Sequence, residues 1–173
     1  MTSLSGDTAF TAYTRRPNGG VRRPASIANI PISANATGSY PRATAIGAKM
    51  GQPNKQVVAV IGDGGFQMTL QELGTMFQYG VDVKIVVLNN EFLGMVRQWQ
   101  EMFFEKRYAS TTMVNPNFQT IVSGYGIETK KVVNRDELAD AIEEMLNHKG
   151  AYFLEAIVGK ENNVFPMVPT GAS

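Results

Sequence analysis

Residues 57–66 read VVAVIGDGGF and residues 83–90 read VKIVVLNN. Each is an apolar, β-branched run that stops at a small polar cluster, Gly62-Asp63-Gly64-Gly65 in the first and Asn89-Asn90 in the second. Between them Leu70, Leu73, Met76 and Phe77 recur at helical spacing, and Gly80 stands where that helix should end. Strand, helix and strand in this order predict one βαβ unit. Its two strands lie parallel and its crossover is right-handed. If the strands are neighbours, they run roughly 5 Å apart. Asp63 and Asn90, 27 positions apart in the chain, then meet at the carboxyl edge, where open α/β sheets bind their ligands.

The pattern extends to both sides. Ala43 to Met50 suits a short helix stopped by Gly51, and Val57 to Ile61, without a polar residue, suits a strand covered on both faces. Thr69 and Glu72 have the spacing of a capping box. Downstream, a helix is expected over Glu91–Phe104, an irregular connection over 105–115 and a helix over Asn117–Gly126. A strand over Ile127–Val133, a helix begun by Asn134 and closed by Gly150, and a strand over Tyr152–Val158 follow. The fold class is therefore α/β: three layers, a mostly parallel sheet with helices on both faces. The tail from Asn162 to Pro169 is apolar but broken by prolines, so an extended packed segment is expected.

Composition narrows the function. Of 173 residues, 43% are hydrophobic and 18% charged, which suits a globular chain. No apolar run is long enough to span a membrane, and the N-terminus lacks the apolar centre of a signal peptide. There is no cysteine, so disulfides and thiolate metal sites are excluded; a cytoplasmic location is expected. With His148 as the single histidine, a multi-histidine metal site is excluded and a Ser-His-Asp triad is disfavoured.

Residues 1–42 differ in style. They carry five arginines, no lysine and one acid, a net +4, against −3 for the remainder. Pro17, Pro24, Pro31 and Pro41 recur without a hydrophobic period. A basic arm can bind nucleic acid or a membrane surface. This one lacks interleaved aromatics and an amphipathic period, so neither partner is expected and it reads as a disordered or non-native leader. Residues 43–173 form the expected domain.

The glycine turn has its own chemistry. Glycines let an anion approach the backbone N–H groups, and a following helix adds a partial positive charge, so phosphate is a natural ligand. A carboxylate in the same turn repels phosphate, unless a hard divalent cation lies between them. Mg²⁺ prefers about six oxygens and takes few from protein. Asp63, the side-chain oxygen of Asn90 and a nearby backbone carbonyl are candidates. The turn lacks both the G-x-G-x-x-G dinucleotide pattern and the G-K-[ST] of a Walker A loop.

Gly62-Asp63-Gly64 followed by Asn89-Asn90 resembles the diphosphate–Mg²⁺ motif of thiamine-diphosphate enzymes. The stretches 62–71, 81–99 (VDVKIVVLNNEFLGMVRQW), 103–108 (FFEKRY) and 164–173 (VFPMVPTGAS) look like the C-terminal domain of the acetolactate synthase catalytic subunit. The likeness covers about residues 43–173. It implies a truncated thiamine-diphosphate-binding fold, with cofactor contacts from Gly62, Asp63, Gly64, Gly65, Asn90, Phe92, Gly94 and Met95. Metal ligands would be Asp63, Asn90 and the carbonyl of Phe92, with Mg²⁺ as the ion. Met95, Val96 and Trp99 would border the substrate pocket, Trp99 favouring a 2-ketobutyrate acceptor. From residue pattern alone, these three read as the apolar face of a helix.

For the complete enzyme the resemblance implies condensation of two pyruvates, or of pyruvate and 2-ketobutyrate, with loss of CO₂, in branched-chain amino-acid biosynthesis. It also implies FAD, N-terminal and middle domains, a homodimer or tetramer, and a regulatory subunit. The family's glycine-rich thiazolium segment should occupy about residues 25–42, where SIANIP and its continuation do not match. The leader is therefore read as frame-shifted or fused. The cofactor-activating glutamate belongs to the N-terminal domain, so no catalytic residue is assigned in this chain. Rival readings are another thiamine-diphosphate 2-ketoacid decarboxylase or carboligase, and an inactive fragment that keeps only the fold.

Overall fold

In the computed structural model, residues 29–33, 41–161 and 163 are described; the tail motif at 164–173 and most of the leader lie outside them. Five strands form one parallel sheet: β1 Asn29–Ser33, β2 Gln56–Gly62, β3 Val83–Asn89, β4 Glu128–Val132 and β5 Tyr152–Ile157. Their order is β1-β2-β3-β5-β4. The chain lays down three strands side by side, skips a place to set β4 at the far edge, then returns to insert β5. The expected βαβ unit is present: Val57 pairs with Val83 and Gly62 with Leu88, so the two strands end together.

The helices are α1 Pro41–Gly51, α2 Asp63–Met68, α3 Glu72–Tyr79, α4 Gly94–Phe103, α5 Phe118–Ser123 and α6 Leu138–Asn147, the last preceded by a 3₁₀ turn at Arg135–Glu137. One sheet face buries Ala59, Ile61, Ile85, Val87 and Phe153 against α1, α2, α3 and α5. The other packs Val86, Tyr152 and Leu154 against Ala141, Ile142 and Met145 of α6, the one helix among the described residues on that face. The architecture is therefore three-layered, with unequal outer layers. This corrects the expectation that β2 is covered on both faces. Val57, Ala59 and Ile61 are buried, whereas Val58 and Val60 are only half-buried, because α6 reaches part of their face.

Several boundaries also shift. Residues 29–33 belong to the sheet although the stretch 1–42 was expected to be a leader. Pro31 fits an edge position, where a missing N–H costs no central ladder bond. Helix α4 starts at Gly94, not Glu91, because Glu91 takes a left-handed φ of 57°. The glycine turn is not a loop: Asp63 to Met68 is helical. Phe66 anchors that helix, its ring 5.0 Å from both Phe118 and Phe153. The capping box is not formed. Thr69 follows α2, and its hydroxyl bonds the Gly65 carbonyl (3.2 Å) and accepts from Arg42 (2.9 and 3.2 Å). Gly80 does end α3, at φ 59°, where a side chain would be strained.

Arg42 is fully buried, with its guanidinium 4.1 Å over the Phe66 ring and a further bond to the Phe66 carbonyl. Burial lowers its pKa from the ordinary guanidinium range to about 10, the nearby Glu72 charge partly opposing the shift. Its Nη1 has no hydrogen-bond partner among the described residues.

Candidate functional site

The carboxyl ends of β2 and β3 bring the two predicted clusters together. Gly62 ends β2 in extended conformation and leads straight into α2, so Asp63 is the first residue of a helix and is buried. Its carboxylate Oδ2 accepts from the Glu91 N–H at 3.0 Å, next in chain to Asn90, and from the Asn115 carboxamide at 2.7 Å. Burial raises the Asp63 pKa; Asn115 and the N–H groups of Gly64 and Glu91 pull it back in part. A bound cation would favour the charged form. Asn90 Oδ1 accepts from the Phe92 N–H at 3.1 Å, which fixes the carboxamide across the turn.

The glycines give this site its shape. A Cβ on Gly64 would stand 2.9 Å from Leu93 and 3.3 Å from the Met113 sulfur, so α2 approaches the 91–93 turn closely only because Gly64 has none. A Cβ on Gly94 would meet the Asn90 amide at 3.3 Å. Gly62 and Gly65 have open space instead. Met95 is half-buried, while Val96 and Trp99 are each 46% exposed and Trp99 leans on Phe103 at 5.0 Å. Among the described residues, α4 adds nothing to either core cluster.

The connection 105–115, read as irregular, has a definite task near its end. Leu93 donates to the Thr111 carbonyl (2.8 Å), Met113 donates to Glu91 (2.8 Å), and Phe92 bridges Thr112. These bonds strap residues 111–113 across the turn and deliver Asn115 to Asp63. Asn115 and Glu155 were not singled out by the sequence, and Asn89 was noted only as the neighbour of Asn90 in the polar pair that ends the second run. Asn89 Oδ1 accepts from Glu91 N–H (3.1 Å) and Asn115 (2.9 Å), and Asn89 Nδ2 donates to buried Glu155 at 2.6 Å. A glutamate inside the apolar strand YFLEAI was the available signal, since a buried carboxylate needs partners.

The donor set suits a small hard cation. Asp63 offers carboxylate and Asn90 carboxamide oxygen, the ligand types Mg²⁺ takes. No group of three or more His, Cys, Asp or Glu side chains among the described residues is placed to hold a metal.

Residues 20–156 match the family described as thiamine pyrophosphate enzyme, C-terminal TPP binding domain. The chain is 45% identical over 130 residues to the acetolactate synthase isozyme 2 large subunit of Escherichia coli, covering 75% of this chain and 24% of that protein. It is 46% identical over 128 residues to the acetolactate synthase large subunit of Lactococcus lactis, covering 73% and 22%. It thus spans about a quarter of the length of these relatives. A thiamine diphosphate-dependent 4-hydroxybenzoylformate decarboxylase of Rhodococcus jostii shares the fold, with a TM-score of 0.64 and 24% identity over 69% of this chain and 23% of that one. By its family match, this chain belongs to the C-terminal thiamine pyrophosphate-binding domain family, and within it is similar to acetolactate synthase large subunits.

Proposed function

We propose that this chain holds the diphosphate of thiamine diphosphate through Mg²⁺ and forms part of a 2-ketoacid pocket of an acetolactate synthase. The observation that carries the proposal is the convergence of buried Asp63 on the Asn89–Glu91 turn, beside a glycine that keeps α2 close to it. Asp63, Asn90 and the carbonyl of Phe92 are the proposed ligands. An amide oxygen has two lone pairs, and the Phe92 N–H uses one of Asn90's, leaving the other for a metal. Gly62 and Gly65, where a Cβ would meet nothing, leave the first turn of α2 open to a diphosphate, buried Gly64 brings that turn close to residues 91–93, and Gly94 and Met95 would line the opposite wall. When bound, thiamine diphosphate supplies the electron sink for 2-ketoacid decarboxylation and carboligation. Met95, Val96 and Trp99 would exclude water from the acceptor ketoacid and set its size.

The whole enzyme's reaction is proposed to join two pyruvates, or pyruvate and 2-ketobutyrate, with loss of CO₂. FAD, the N-terminal and middle domains, a homodimer or tetramer and a regulatory subunit belong to that proposal. So does a cytoplasmic location; no helix among the described residues is long and apolar enough to cross a membrane. The groups that activate the cofactor would lie in the rest of the relatives' length, so this chain alone should form no acetolactate. We also propose that the upstream part of residues 1–42 is a fused or frame-shifted leader, with the domain taking in Asn29–Ser33.

The single tryptophan tests the pocket. Thiamine diphosphate with Mg²⁺ should change Trp99 fluorescence saturably, and chelation should reverse the change. No response to either addition counts against the pocket assignment and favours a fragment that keeps only the fold.

A further inference from the structure

We infer that Asn115 is the positioning residue of the proposed metal site, holding the Asp63 carboxylate in register with the turn after β3. The assignment rests on the Mg²⁺ site proposed above. Asn115 Nδ2 donates to Asp63 Oδ2 (2.7 Å) and to Asn89 Oδ1 (2.9 Å), while its Oδ1 accepts from Gln67 Nε2 (2.6 Å). The carboxylate only accepts, so the amide nitrogen must face it and the flip of Asn115 is settled. One side chain therefore ties the ends of β2 and β3 together and fastens both to α2.

The Glu91 N–H and the Asn115 amide both use Oδ2. The Asp63 carboxylate cannot rotate without losing two hydrogen bonds. Asn89 is held from its other side by Glu155, whose second oxygen accepts from Gln119 at 2.6 Å and faces the Lys131 ammonium at 3.7 Å. A polar row thus crosses the carboxyl ends of four strands, from Lys131 on β4 to Asp63 after β2, beside a cleft of about 300 Å³. Asn115 is the link that reaches the proposed ligand. Removing it leaves the Glu91 N–H as the one backbone donor shared by Asp63 and Asn89. Partners that orient metal ligands are typically worth 10- to 100-fold in metal affinity.

The test uses the whole chain, Mg²⁺ titrated calorimetrically with saturating thiamine diphosphate, and bound Mn²⁺ followed by electron paramagnetic resonance. Asn115→Ala should weaken Mg²⁺ binding roughly 10- to 100-fold and broaden the Mn²⁺ spectrum. Asn115→Ser, which keeps one short donor, should fall between Asn115→Ala and the parent, and it carries the test if Asn115→Ala does not fold. Asn117→Ala removes the side chain that accepts from Thr120 N–H (3.0 Å) at the start of α5, and should leave the affinity within about two-fold. Parent-like affinity in both Asn115 variants overturns the inference and leaves the metal site standing. An equal loss in Asn117→Ala also overturns it, because the fold of the connection would then carry the effect. A parent that binds no Mg²⁺ with thiamine diphosphate overturns the site and the inference together.

Discussion

Asp63 is a carboxylate that the fold holds at a cost. Burial raises its pKa above the ordinary 3.8, so between that value and its folded pKa the native state binds more protons than the unfolded one. Native stability without metal therefore falls as pH rises through this window, and the full penalty is present once pH exceeds the folded pKa. Asp63→Asn keeps the shape, removes the charge and can still accept from Glu91 and Asn115. We expect it to raise the stability of the metal-free chain by roughly 1 kcal/mol at pH 7, by urea unfolding, and to abolish Mg²⁺-dependent cofactor binding. A metal-free Asp63→Asn chain less stable than the parent counts against a strained, functional carboxylate. Arg42 presents the matching case in the opposite sign. Its pKa of about 10 means the penalty for burying its charge is fully present below about pH 10 and is relieved only as pH rises above it. Arg42→Met, which drops the charge but keeps the length, should melt nearer the parent than Arg42→Ala, which also opens a cavity beside Phe66. Asp63 and Asn90 were legible because each ends an apolar run at a strand's carboxyl edge. Asn115 and Glu155 were not: they meet Asp63 and Asn89 across 52 and 66 residues, a proximity that only the folded sheet creates.

At the scale of elements, apolar runs located β2, β3 and β5, and helical spacing located α3 and α6. β1 escaped because a proline-containing edge strand has no period of its own. α2 escaped because Asp-Gly-Gly has poor helix propensity. The packing of Phe66 between two other rings overrides it. β3 is the central strand, and Ile85 there is fully buried between Ala59 of β2 and Phe153 of β5. Ile85→Ala should cost about 2–5 kcal/mol in chemical unfolding. Gly64→Val places bulk where even a Cβ meets Leu93, so it should lose cofactor binding with a smaller loss of stability, about 1–3 kcal/mol. Equal cofactor affinity in Gly64→Val and the parent would argue that α2 does not need its close approach to the 91–93 turn.

The whole molecule has two uneven sides. Among the described residues, helices α1, α2, α3 and α5 cover one sheet face, while α6 serves the other. Val96, Trp99, Phe103 and Phe104 lie exposed on or just beyond α4. A chain that spans about a quarter of its relatives' length would leave such surfaces for the remainder to cover. The isolated chain should therefore self-associate with rising concentration in sedimentation velocity, and Trp99→Lys with Phe103→Lys should reduce that association without unfolding the sheet. The most direct measurement is isothermal calorimetry of thiamine diphosphate and Mg²⁺ into the purified chain and into Asp63→Ala. The parent should bind saturably and only with Mg²⁺, and the variant not at all. Binding that survives in Asp63→Ala, or that needs no divalent cation, contradicts the proposed metal site.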